Sequence, residues 1–85
     1  MSLNDRIRLL GERLKNRIDA ELVDYALSFV DHNENIMALE TLCDQIGDME
    51  VEVTPEEYSQ IIGMVAELKL KITNRYIYRS QQMTL

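Results

Sequence analysis

The sequence predicts an all-α fold: one small domain of about four helices, followed by a short C-terminal helical turn. Three observations lead there. One proline and three glycines interrupt 85 residues, too few breakers for a loop-rich or hairpin-rich chain. Apolar residues recur at intervals of three and four, the period of one helix face. Helix-start signals stand where those runs begin, most clearly in "TPEE".

The first helix is expected over residues 3–16. Leu3, Ile7, Leu10 and Leu14 form one apolar stripe, and Arg6, Arg13 and Lys15 fall elsewhere on the wheel. Gly11 inside this run costs the helix about 1 kcal/mol relative to alanine. The second helix is expected over residues 20–30, with Asp19 as N-cap. Leu22, Val23, Tyr25, Ala26, Leu27, Phe29 and Val30 leave a narrow wet side marked by Asp24, Ser28 and Asp31. That distribution predicts the most buried helix of the four.

"DHNEN" makes a tight connection. Asn33 reads as the N-cap of the third helix, with Glu34 well placed at its positive end. That helix is expected to run to Ile46 and stop at Gly47 as its C′ residue. Ile36, Leu39, Leu42, Cys43 and Ile46 share one face, and Met37, Glu40 and Asp44 form an exposed row on the other. "DMEVEV" alternates acids with Met49, Val51 and Val53. A lone strand would have no partner, so the stretch reads as a loop that tucks its valines inward and points its acids outward. Thr54 then caps the fourth helix, Pro55 occupies N1, and Glu57 at N3 completes a capping box. Tyr58, Ile61, Ile62, Val65 and Leu68 form the apolar face of that helix. Ile72 and Tyr76 would extend the stripe, but the β-branched and aromatic "KITNRYIY" predicts a break within residues 70–74. The domain is expected to span residues 1–79, with residues 80–85 as a frayed tail.

A chain of this length buries a modest core, and an apolar content of 46% is ordinary for a folded domain. No apolar run approaches the roughly 20 residues of a membrane span. The charges in "MSLNDRIRLL" do not fit a signal peptide. The single cysteine, Cys43, precludes an internal disulfide, so the cytoplasm is the expected compartment. Charge is segregated along the chain. The net charge is −6, and none of the nine Lys and Arg residues lies between Ile18 and Leu68, where thirteen of the fifteen acids stand. Such a chain repels nucleic-acid phosphates and attracts a basic protein surface. Solvated helix faces that keep a domain soluble would use the same acids.

Six acids fall in "CDQIGDMEVEVTPEEY": Asp44, Asp48, Glu50, Glu52, Glu56 and Glu57. Read as a calcium loop from Asp48, the stretch has Val53 where the turn needs glycine. It has Ser59 where a bidentate glutamate is needed. No metal or other cofactor is expected. Cys43 lies on an apolar stripe, where a thiol packs rather than reacts. His32, the only imidazole, has no evident nucleophile beside it. There is no glycine-rich phosphate loop. No catalytic residue and no small-molecule substrate are expected. Tyr76 and Tyr78 with Arg75 and Arg79 fit a core anchor and solvated rim better than a nucleic-acid patch.

The stretch "HNENIMALETLCDQIGDMEVEVTPEEY" resembles the MafI-type family of bacterial immunity proteins, which act beside polymorphic and contact-dependent growth inhibition toxins. The residues that carry the resemblance are Asn33 and Glu34, then Ala38, Leu39 and Glu40. Leu42, Cys43, Asp44 and Gln45 follow, then Thr54, Glu57 and Tyr58. It extends weakly over the first two helices. The resemblance implies a cytoplasmic antitoxin without catalytic activity, which binds and neutralises a cognate toxin domain. That partner is expected to be a basic nuclease, an RNase of EndoU-like type among the candidates. On this reading the charged contacts are Glu40, Asp44, Asp48, Glu50, Glu52, Glu56 and Glu57, and the apolar anchors are Met37 and Met49. The competing expectation is a small acidic helical adaptor or regulatory subunit of another basic protein.

Overall fold

Ile7, Leu10 and Leu14 are fully buried, and Leu3 packs half-buried at the end of their stripe. They belong to the first of four helices in the computed structural model, which describes residues 1–69. In chain order these are α1 (Leu3–Leu14), α2 (Ala20–Asp31), α3 (Asn35–Asp48) and α4 (Pro55–Leu68), with no strand among the described residues. The fold is all-α. The first three helices pack against one another, and α4 docks on α1. The break, the last turn and the tail expected beyond residue 69 lie outside the described residues.

Local chemistry sets most boundaries. Ser2 accepts the Asp5 N–H and caps α1. The helix ends at Leu14, two residues short of expectation, and the Leu14 carbonyl accepts from the Arg17 and Ile18 N–H groups. This turn drives Ile18 into the core. Asp19 caps α2 through the Glu21 N–H. At α4 the capping box forms in both directions between Thr54 and Glu57, with Pro55 in the first turn.

Two expected helix ends are corrected. Asn33 is not the N-cap of α3. It adopts a left-handed φ of 58°, the Glu34 N–H donates to the Phe29 carbonyl, and its own N–H donates to Val30. These are the paired bonds that close a helix C-terminus around a left-handed C′ residue. Asn33 therefore ends α2, and Glu34 opens α3 without a side-chain cap. Gly47 does not end α3 either. The same bond pair recurs three residues later, from Val51 N–H to Ile46 and from Glu50 N–H to Gly47, with Glu50 at φ 50°. A left-handed non-glycine residue costs roughly 1–2 kcal/mol. Val51, only 6% exposed, offsets it by turning into the core, as does Val53.

The burial order also differs from expectation. α3 contributes six buried residues, Ala38, Leu39, Leu42, Cys43, Gln45 and Ile46, against four from α2. Leu22 and Tyr25 of α2 project into solvent, and so does Ile36 in the first turn of α3.

Gly11 is a point of close approach. A Cβ at this position would lie 2.8 Å from a Leu27 methyl. Gly11→Ala should lower unfolding free energy by about 1–2 kcal/mol despite the gain in helix propensity. In a Leu27→Ala background the same change should be neutral or stabilising. A double-mutant cycle by urea denaturation measures both.

Candidate functional site

The positions of the acids become informative once their partners are known. Five cations on or just after α1 form ion pairs. Arg6 pairs with Glu67, Arg8 with Asp31, Arg13 with Glu56 and Glu57, Lys15 with Glu12 and Asp24, and Arg17 with Glu57. Asp5, Asp19, Glu21 and Glu34 stand at helix N-termini, where the exposed N–H groups and dipole favour negative charge. Glu40, Asp44, Asp48 and Glu52 have neither arrangement: all are exposed, and none forms an ion pair among the described residues.

Glu40, Asp44 and Asp48 recur at intervals of four and therefore form one row along α3. Met37 lies on this side and is 46% exposed, and Met49 at the C-cap is 43% exposed. Glu50 and Glu52 continue the acidic edge into the loop, both exposed. The row occupies the middle and C-terminal end of α3, and the last turn contains no basic residue. Negative charge there opposes the helix dipole. Among the described residues, neither an ion pair nor the helix dipole favours Asp44 and Asp48.

Glu57 departs from its expected role as a surface contact. Its side chain is 1% exposed. Both oxygens accept from Arg17, each at 2.7 Å, and Oε1 also accepts the Thr54 N–H at 2.9 Å. Arg17 further donates to the Glu52 carbonyl at 2.8 Å and to the Arg13 carbonyl at 3.0 Å. The bidentate bond from Arg17 holds the Glu57 carboxyl down at about 2, aided by Thr54 and Arg13 against the opposing effect of burial. Glu56 remains exposed, with Arg13 at 3.3 Å. An open groove of about 750 Å³ runs over this pair, lined by Glu12, Arg13, Asn16, Arg17, Glu52, Val53, Thr54 and Glu57. The principal charges in its wall are already committed to each other.

Cys43 and His32 occupy unlike environments. Cys43 is 1% exposed, and burial, with Asp44 and Glu40 nearby, pushes its thiol up to about 12. His32 lies exposed at the end of α2 with Nδ1 2.9 Å from the Ser28 carbonyl. Sequence reasoning missed Gln45, which is 8% exposed and donates from Nε2 to the Leu22 carbonyl at 2.9 Å. It also missed Arg17, because no local pattern links residue 17 to residue 57. No helix among the described residues is long and apolar enough to cross a membrane. The chain is an all-α domain with an acidic helix row that has no ion pair among the described residues. No protein-family model matches the chain, and no curated protein or solved structure matches it significantly.

Two measurements test this arrangement. Glu57→Gln should cost about 3 kcal/mol, because it leaves the Arg17 guanidinium without its charge partner. The native carboxyl titrates below its ordinary value near 4.5, so its stabilising effect is fully present above that pH. It should fade as pH falls toward about 2. Urea denaturation between those limits should show wild type losing more stability than Glu57→Gln. Separately, Cys43 should react with an aromatic disulfide reagent only on unfolding, at a rate that rises with denaturant.

Proposed function

We propose that this chain is a cytoplasmic immunity-type protein that binds a basic nuclease toxin domain and blocks it by occlusion, without turnover. The observation that carries the proposal is the row Glu40, Asp44 and Asp48, which has no ion pair among the described residues. The likeness of residues 32–58 to the MafI-type pattern supports it. A nuclease needs a basic groove for phosphate, and an acidic helix edge complements such a groove. Charge complementarity speeds encounter and orients docking, while exposed apolar side chains supply the short-range contacts that slow release. The proposed contacts are Met37, Glu40, Asp44, Asp48, Met49, Glu50, Glu52 and Glu56. Glu57 is omitted because Arg17 holds it inside.

An adaptor for another basic protein would use the same acidic edge. The neighbouring gene separates the two readings: a large secreted protein ending in a nuclease domain supports immunity, and an operon for a multisubunit enzyme supports the adaptor. The direct test is co-purification with the polypeptide encoded by that gene, followed by RNA cleavage with and without this chain. Stoichiometric suppression of cleavage is expected. Binding without suppression would reject occlusion of the active site.

Combining Glu40→Lys, Asp44→Lys and Asp48→Lys should slow association with that polypeptide by about tenfold or more at ~0.1 M salt. The difference should shrink as salt rises. Helicity should persist, and thermal stability should hold or rise slightly, because lysine suits the C-terminal end of α3. Stopped-flow binding and circular dichroism check both halves.

A further inference from the structure

The acids of α3 form one edge of a larger face. Two hydrogen bonds set the antiparallel register of α2 and α3: Gln45 Nε2 to the Leu22 carbonyl at 2.9 Å, and Glu34 N–H to the Phe29 carbonyl at 2.8 Å. With Gln45 opposite Leu22 and Glu34 beside Phe29, Met37 falls at the Phe29 end of the seam. Leu22, Tyr25 and Phe29 are spaced three and four apart and lie along one side of α2. Leu22 is 40% exposed, Tyr25 60% and Met37 46%, and Phe29 is half-buried. The Tyr25 and Phe29 rings meet edge to face with centroids 5.3 Å apart. Their packing limits how much ring motion a partner would still have to freeze.

We infer that the α2–α3 face, built on Leu22, Tyr25, Phe29 and Met37 and edged by Asp44 and Asp48, is an anchor surface for a basic protein domain, entering an apolar cleft bordered by Arg or Lys. This rests on the reading of the chain as a partner-binding protein. It adds α2 to the contacts and specifies the partner surface. Charge selects the occupant. Neither helix contains a Lys or Arg, so a second copy docked face to face would oppose acid to acid. Nucleic acid and anionic lipid would meet the same repulsion. Exposed tyrosine is among the residue types enriched in binding hot spots.

The apolar anchors and the acids should act on different rate constants. Tyr25→Ser and Leu22→Ser, tested with the polypeptide encoded by the adjacent gene, should each raise Kd by roughly tenfold to a hundredfold. The change should come through faster dissociation, with association nearly unaltered. Tyr25→Phe should retain most of the affinity. Leu9→Ser is the control, because Leu9 is 41% exposed on α1 and outside this face. All three positions are at least 40% exposed, and circular dichroism verifies that each variant folds. Unchanged Kd in Tyr25→Ser and Leu22→Ser, with the acid reversals still weakening binding, would overturn the anchor surface and keep the binding reading. No binding by wild type would overturn both. A wild-type dimer that Tyr25→Ser converts to monomer in sedimentation would place a second copy on this face and overturn the assignment to a basic domain.

Discussion

The Arg17–Glu57 pair is the constraint on which the candidate surface depends. Arg17 stands three residues beyond α1, and Glu57 lies in the first turn of α4. Their bidentate bond joins these helices, and the same guanidinium holds the Glu52 carbonyl. Glu57 meanwhile completes the cap of α4. One carboxylate thus starts a helix, docks it on α1 and ties down the loop before it. A buried ion pair adds little net stability over well-packed apolar groups, since both charges lose water. Its effect is positional: α4 can begin in only one place relative to α1. The loop from Met49 to Val53 is consequently held at both ends, by the helix-closing bonds of Val51 and Glu50 and by the grip on Glu52.

The cations divide the acids into two populations. Those of α1 and the turn after it pair with α2 on one side and α4 on the other. α3 touches α1 as well, yet its contact side is the apolar one formed by Leu39, Leu42, Cys43 and Ile46. Its acids face away. Exposed pairs are each worth under about 1 kcal/mol, so pairing all of them would add modest stability. The α3 row, without ion pairs among the described residues and at the end of the helix where negative charge is unfavourable, lowers stability slightly. Concentrated on one edge, such small unfavourable terms fit selection for a surface property.

Elements determined by adjacent residues were legible in the sequence. The α1 stripe, the Asp19 cap and the Thr54–Glu57 box are patterns within four residues, and their physics is local. The inward turn of Val51 and Val53 followed from alternation. Errors arose where two local signals competed or where a distant residue decided. Asn33 suits an N-cap and also a left-handed C′ position, and the bond from Glu34 to Phe29 selects the second. Gly47 is the obvious terminator, but α3 runs past it because Val51 is drawn to the core and Glu50 takes the left-handed turn. Gly11 looked like a weakness until Leu27 was found against it. Glu57 was assigned both to a cap and to the surface, and only Arg17, forty positions away, excludes the second. Hydrophobic periodicity identifies residues that share a face and is silent on which neighbour covers it, so the apolar circumference of α2 predicts the most buried helix while Leu22 and Tyr25 stand exposed.

The misplacement of α2 has a functional meaning. A helix whose sequence is apolar almost all round, yet which α1 and α3 cover only in part, retains exposed apolar side chains at Leu22 and Tyr25. Here that surface adjoins acids that form no ion pair among the described residues. Both would gain in one complex, the side chains by losing water and the carboxylates by meeting cations. Each term is absent from the free chain, so a partner that supplies both binds the folded state selectively and stabilises it by mass action. On the α1–α4 side Arg6, Arg13 and Arg17 are already paired with Glu56, Glu57 and Glu67. Among the described residues the molecule is thus asymmetric: the ion pairs join α1 to α2 and α4, while the exposed acids of α3 and the apolar side chains of α2 lie outside them.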